Sequence, residues 1–113
     1  MLRIEHAAAL AATALALTVS APAFAQIDAA KAQELMAKGA CISCHQVDKK
    51  LLGPAYTEVA KKHKGDAKAP DALFAKVRNG GSGVYGPIPM PPNPASKISD
   101  EELKQLIAWI LAR

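Results

Sequence analysis

Hydrophobic positions recur at helical spacing in two parts of the chain, and nowhere do they alternate as a half-buried strand would. Ala32, Leu35, Met36 and Ala40 fall at i, i+3, i+4 and i+8, one face of a helix. Asp28 before them is a cap residue and Gly39 after them a stop, so the spacing predicts a helix from Asp28 to about Lys38. Toward the other end Leu103, Leu106, Ile107, Ile110 and Leu111 form a longer stripe, with Trp109 at its edge. Ser99, Asp100, Glu101 and Glu102 precede that stripe as a capping box, with acidic groups in the first turn where the helix dipole favours them. Two shorter helices are predicted between these: Ala55 to His63 after Pro54, and Pro70 to Arg78, with proline at its start and Asn79-Gly80 at its stop. Residues 80–94 carry four glycines in their first seven positions and then five prolines, which excludes regular structure. A long irregular loop in a small domain is either functional or disordered. Val84, Tyr85, Ile88 and Met90 within it argue against disorder. The expected fold class is all-α.

The first 25 residues are a different kind of sequence. Arg3 gives a weakly basic start, residues 7–19 are apolar apart from Thr13 and Thr18, and Ala23-Phe24-Ala25 is an A-x-A cleavage site after Pro22. That order reads as a secretory signal peptide over residues 1–25, leaving a single domain over residues 26–113. Thirteen apolar residues rising about 1.5 Å each fall short of a hydrocarbon core of about 30 Å, so the reading is a cleaved signal rather than a span. The composition then changes meaning. Of the 57 hydrophobic residues, 18 lie in the signal, and the remaining 88 residues hold only four aromatics, Tyr56, Phe74, Tyr85 and Trp109. A chain of that length buries roughly 60–65% of its unfolded surface and is marginal without a staple.

The two cysteines are poor staples for the chain, because a bridge across two residues constrains the unfolded state weakly. They stand instead in Cys41-Ile42-Ser43-Cys44-His45, the C-x-x-C-H pattern of c-type haem attachment. Two thiols add to the two vinyl groups of the haem, and the following histidine reaches the iron as proximal ligand. A thioredoxin-like pair would need a βαβ context, and a structural zinc site would need four ligands at finger-like spacing. The sequence offers neither, nor a reason for an isolated disulfide.

Three side chains compete for the sixth coordination position. Met36 lies on the apolar face of the first helix and reads as a core filler. His63 sits in Lys61-Lys62-His63-Lys64, a charged helix end that reads as a solvated face. Met90 is flanked by Pro87, Pro89, Pro91, Pro92 and Pro94, whose fixed φ angles let a stiff loop present one thioether at small ordering cost. Met90 is therefore the expected ligand.

Cys41 to His45, Gly53-Pro54-Ala55-Tyr56, and Gly83-Val84-Tyr85-Gly86-Pro87-Ile88-Pro89-Met90-Pro91-Pro92-Asn93 together resemble the small bacterial class I cytochromes c of the cytochrome c-551 type. The resemblance covers nearly all of residues 26–113. It implies about four short helices wrapped around a covalently bound haem c, the first and last helices crossing, with His45 and Met90 as axial ligands. It also implies that the Pro54 carbonyl accepts a hydrogen bond from His45, and that the Asn93 side chain lies near the Met90 sulfur. Two positions depart from the family pattern. Tyr85 stands where a tryptophan commonly donates to a haem propionate, and Lys76 stands where an arginine is common. Lysine is a point charge rather than a bidentate fork, so propionate pairing there is looser.

The expected function is soluble electron carriage in the periplasm, by a monomer that is not an enzyme. Its partners would be redox proteins of a bacterial electron-transfer chain, bound transiently. The alternatives are a haem-based ligand binder or sensor, and a dedicated electron-entry subunit of a terminal oxidase or reductase. The whole chain carries 14 basic and 10 acidic residues, a net charge of +4. A basic surface speeds encounter with acidic partners. No basic stripe interleaved with aromatics points to nucleic acid, and no later segment approaches membrane-spanning length.

Overall fold

Each predicted helix forms, and each starts where its sequence signal stands. A computed structural model describes residues 9–17 and 26–113. Its helices are α1 (Ala29–Lys38), α2 (Tyr56–Lys62), α3 (Ala69–Asn79) and α4 (Asp100–Leu111). The basic start and the cleavage site of the predicted signal lie outside the described residues. Residues 9–17 are exposed and without regular structure. No helix among the described residues is long and apolar enough to cross a membrane.

The caps act as read. The Asp28 carboxylate accepts from the Lys31 N–H at 2.7 Å. At α4 the Ser99 hydroxyl accepts from the Glu102 N–H, and the Glu102 carboxylate accepts from the Ser99 N–H, so two otherwise orphaned donors are satisfied reciprocally. In α3 proline occupies the first turn, where its missing N–H costs nothing. Helix α1 ends at Lys38 with Gly39 as its cap, where the sequence predicts, and the turn beyond it has its own geometry. Gly39 closes the helix with an ordinary φ of −82°, and the left-handed residue is Ala40, at φ 57°. Ala40 is exposed and so does not continue the apolar face. The helix ends two residues before Ala40, the last position of the apolar row, and Ala40 makes the turn that delivers Cys41 into a short 3₁₀ turn (Cys41–Ser43).

The core is built on α4, which packs against α1, α2 and α3. From α1 come Ala32, Leu35 and Met36; from α2, Tyr56 and Val59; from α4, Leu103, Leu106, Ile107 and Ile110. Ile98 joins them from the turn before α4. Met36 is a core side chain, as expected. Trp109 is buried too, not a stripe-edge residue, because the Arg113 guanidinium lies 4.0 Å from its ring centroid and covers it. Burial of a Leu or Ile side chain is worth about 1.5–3 kcal/mol, so this one cluster carries much of the fold's favourable energy.

One ion pair ties the two ends of the domain. The Lys38 ammonium, in the last turn of α1, reaches both carboxylate oxygens of Glu102, at 2.9 and 2.8 Å. The hydrogen bond from Lys38, and next those from Ser99, hold the Glu102 carboxyl down to about 2. A carboxyl lowered on folding adds stability that is present above its ordinary value of 4.5 and is lost as the pH falls toward about 2. Lys38→Met is therefore expected to lower the neutral plateau slightly and to flatten the acid limb in that window, the two stability curves converging toward pH 2. Urea midpoints measured from pH 6 to pH 2 check this, and an acid limb as steep as that of the parent would contradict it.

Candidate functional site

The segment after α1 places three reactive side chains within five residues. The Cys44 and His45 N–H groups both donate to the Cys41 carbonyl, at 3.1 and 2.9 Å, so the C-x-x-C-H run is wound into one turn. Cys41 and Cys44 are free thiols and half-buried. Burial pushes the Cys41 thiol above its ordinary range, against a smaller lowering by the Tyr56 hydroxyl. Gly39 brings the helix end close: a Cβ there would stand 3.1 Å from the Cys41 sulfur.

His45 is held from three sides. Its Nδ1 donates to the Pro54 carbonyl at 2.8 Å. A carbonyl only accepts, so Nδ1 carries the proton and Nε2 the lone pair, the state a metal-ligating imidazole requires. The ring stacks on Tyr56, with centroids 5.2 Å apart and planes 15° from parallel. On the remaining side the backbone of Gly53 passes so near that a Cβ would lie 2.5 Å from Cε1. The Gly53 N–H donates to the Cys44 carbonyl at 2.8 Å, which closes the loop and sets the Pro54 carbonyl opposite the ring.

The glycine- and proline-rich loop supplies the other wall. Met90 exchanges two backbone hydrogen bonds with Gly81, at 2.8 and 3.0 Å, and so stands beside the exit of α3. Gly80, at φ 69°, makes this approach possible, since a Cβ there would collide with the Met90 carbonyl and the Pro92 nitrogen.

These parts surround a cavity of about 310 Å³. Cys41, Cys44, His45, Tyr85, Lys76 and Met90 all line it, and so does Pro54. Leu103, Leu106, Ile107 and Ile110 of α4 give it an apolar floor. Val77, Ile88 and Leu106 also line the cavity, whereas Leu35 and Phe74 do not. Leu35 is consumed by the α1–α4 core. Phe74 lies off the Leu73–Val77 row and is flanked by Arg78 and Lys104, 5.2 and 5.5 Å from its ring centroid. His63 is half-buried at the cavity's edge as the C-cap of α2, less solvated than its lysine neighbours suggest.

Asn93 stands where the methionine loop meets the end of α1. It is buried but does not line the cavity. Its amide donates to the Gly39 carbonyl at 2.7 Å, and its N–H to the Val77 carbonyl at 3.0 Å. The bond to Gly39 ties the methionine loop to the end of α1, and the Asn93 Oδ1 is buried with no hydrogen-bond partner among the described residues. Gly53 and Tyr56 were visible in the sequence, but their contacts with His45 depend on a loop closure that no local periodicity reveals.

The Tyr85 hydroxyl is buried and has no hydrogen-bond partner among the described residues. Burial, and then the charge of Glu58, raise its pKa, so it keeps its proton through the neutral range and remains a donor. An apolar cavity, two adjacent thiols, an imidazole with its lone pair prepared, a thioether and one orphaned donor fit a haem. The thiols suit its vinyl groups, the imidazole and thioether its iron, and the donor a propionate.

The fold and this donor set define a haem protein of the all-α cytochrome class. The family sequence model described as "Cytochrome C oxidase, cbb3-type, subunit III" matches residues 27–110. Cytochrome c2 of Rubrivivax gelatinosus is 50% identical over 78 residues, 69% of this chain and 92% of that one. Cytochrome c-552 of Hydrogenobacter thermophilus is 45% identical over 96 residues, 85% of this chain and 94% of the other. The crystal structure of Nitrosomonas europaea cytochrome c552 superposes with a TM-score of 0.66 at 44% identity, covering 71% of this chain and 96% of that one. The chain belongs to the small bacterial class I cytochromes c. Proteins of this family are electron carriers whose cofactor is a covalently bound c-type haem.

The contact between Gly53 and the His45 ring gives a sharp test of the geometry. Gly53→Ala leaves the backbone little choice but to move away from the imidazole, and overpacking of this kind costs about 1–3 kcal/mol. The variant is expected to lose that much stability and to shift the His45 ring resonances in the NMR spectrum. A variant of parent stability with unmoved resonances would show the approach to be looser than described.

Proposed function

We propose that the protein is a soluble periplasmic one-electron carrier in which Cys41 and Cys44 hold haem c as thioethers and His45 and Met90 ligate its iron. The observation that carries the reading is the His45–Pro54 hydrogen bond of 2.8 Å, which prepares one ring nitrogen inside a cavity that Met90 also lines. Bound there, the haem supplies a ferric–ferrous couple, whose potential a thioether ligand raises.

The protein's own part is to hold still. The Pro54 carbonyl fixes the imidazole's tautomer and raises its basicity. Stacking on Tyr56 and the Gly53 backbone stop the ring from turning. The Gly81–Met90 backbone pair and the adjacent prolines keep the thioether in place. With His45 and Met90 both holding the iron, no place would remain there for a substrate, which would separate a carrier from a catalyst. Tyr85 and Lys76, both lining the cavity, would be the residues that meet the propionates. Periplasmic location rests on the signal-like residues 1–25. The oxidase subunit named in the family model favours a second context, electron entry into a larger enzyme, which co-purification with an oxidase would reveal.

Carbon monoxide discriminates the carrier from a ligand-binding haem protein. The reduced protein is expected to stay six-coordinate and low-spin and to leave the gas unbound at neutral pH. Met90→Ala should bind it readily, lose the long-wavelength methionine–iron band of the ferric protein and lower the potential. Ready binding by the parent, or an unchanged ferric spectrum in the variant, would overturn the ligand assignment.

A further inference from the structure

We propose that Arg78 is a positioning residue for Met90, a role that rests on the reading of Met90 as an iron ligand. Arg78 lies in the last turn of α3 and its side chain is 15% exposed. One guanidinium nitrogen donates to the Asn93 carbonyl at 3.1 Å. Another donates to the Ile98 carbonyl and to the Asp100 carboxylate, each at 2.8 Å. A planar fork with several fixed donors can join three acceptors in this way, whereas a lysine ammonium presents a single point charge. Stacking over Phe74 holds the guanidinium plane.

The joined acceptors belong to the chain that follows the methionine. Met90 is anchored upstream by its backbone pair with Gly81. Pro91 and Pro92 come next; they lack N–H groups and have fixed φ, so any displacement of Asn93 is passed back to Met90 rather than absorbed. Asn93 is the downstream anchor, bonded through its N–H to Val77 and its amide to Gly39, and through its carbonyl to Arg78. Arg78 therefore fastens the far end of the methionine loop to α3 and, through Asp100, to the start of α4. Loss of the guanidinium leaves two carbonyls without their donor and frees the segment from residue 93 to residue 98. The thioether would then leave the iron more often while the haem stays covalently attached.

The test is competition by imidazole for the ferric iron of the full haem-loaded protein, read by loss of the methionine–iron band. Removal of charge-assisted hydrogen bonds of this kind predicts that Arg78→Met binds imidazole about tenfold more tightly than the parent. Arg78→Lys should fall between the two. Lys38→Met is the control, since it breaks the other tie to α4 without touching the loop, and its imidazole affinity should match the parent's. Parent-like affinity in both Arg78 variants would overturn the proposal, as would an equal rise in Lys38→Met, which would reduce Arg78 to general stability. Should Arg78→Met fail to fold, Arg78→Lys against Lys38→Met decides by the same criterion. Met90→Ala separates the underlying reading: if it binds imidazole no more tightly than the parent, the ligand assignment fails, and the role of Arg78 fails with it.

Discussion

The constraint on which the fold depends is that its helices must close around a volume that their own side chains do not fill. Leu103, Leu106, Ile107 and Ile110 of α4 belong to the core and also line the cavity. Core and site are thus two sides of one helix. A group filling that apolar volume of about 310 Å³ would give the inner face of α4 the contacts it otherwise lacks. In a family whose haem is covalent, the cofactor is structural material as well as a redox group. That accounts for a domain with so few aromatic side chains: Tyr56 and Trp109 are buried in the core, while Phe74 and Tyr85 only pack against it.

What the sequence revealed divides along the range of the forces involved. Helices α1 and α4 were legible because capping and amphipathic periodicity act within a few residues. The C-x-x-C-H run was legible because covalent attachment demands a local spacing. The Met90 loop was legible from its prolines, which act on their own dihedral angles. The contacts that complete the site are of another kind. The Gly53 backbone against the His45 ring, the Asn93 amide on the Gly39 carbonyl and the buried Tyr85 hydroxyl all depend on which loop returns to which helix end. Helical periodicity identifies an apolar face but not which of its edges meets the cavity, and one residue's rotation of about 100° turned Phe74 toward Arg78 and Lys104. Ala40 shows the limit at a helix end, where the apolar row reaches a residue at which the backbone itself has changed hand.

The ties between helices gather at one place. Lys38 closes α1 and Arg78 lies in the last turn of α3, and both reach acidic residues at the start of α4, Glu102 and Asp100. Each cation stands where a helix dipole is negative and each anion where it is positive, so the macrodipoles favour the same arrangement as the ion pairs. Exposed ion pairs contribute little stability, and these two should be valued for position rather than strength. The chain leaving α1 enters Gly39, Ala40 and Cys41; the chain leaving α3 enters Gly80, Gly81 and the loop to Met90. The acidic first turn of α4 therefore orients the two helix ends from which both halves of the site depart. Asn93 links those ends directly, through Gly39 on one side and Val77 on the other. On the proposed ligation a carrier would gain from this economy, since side chains launched from one shared junction would keep their relative position when the charge on the iron changes, and little would have to be rearranged for the electron to move.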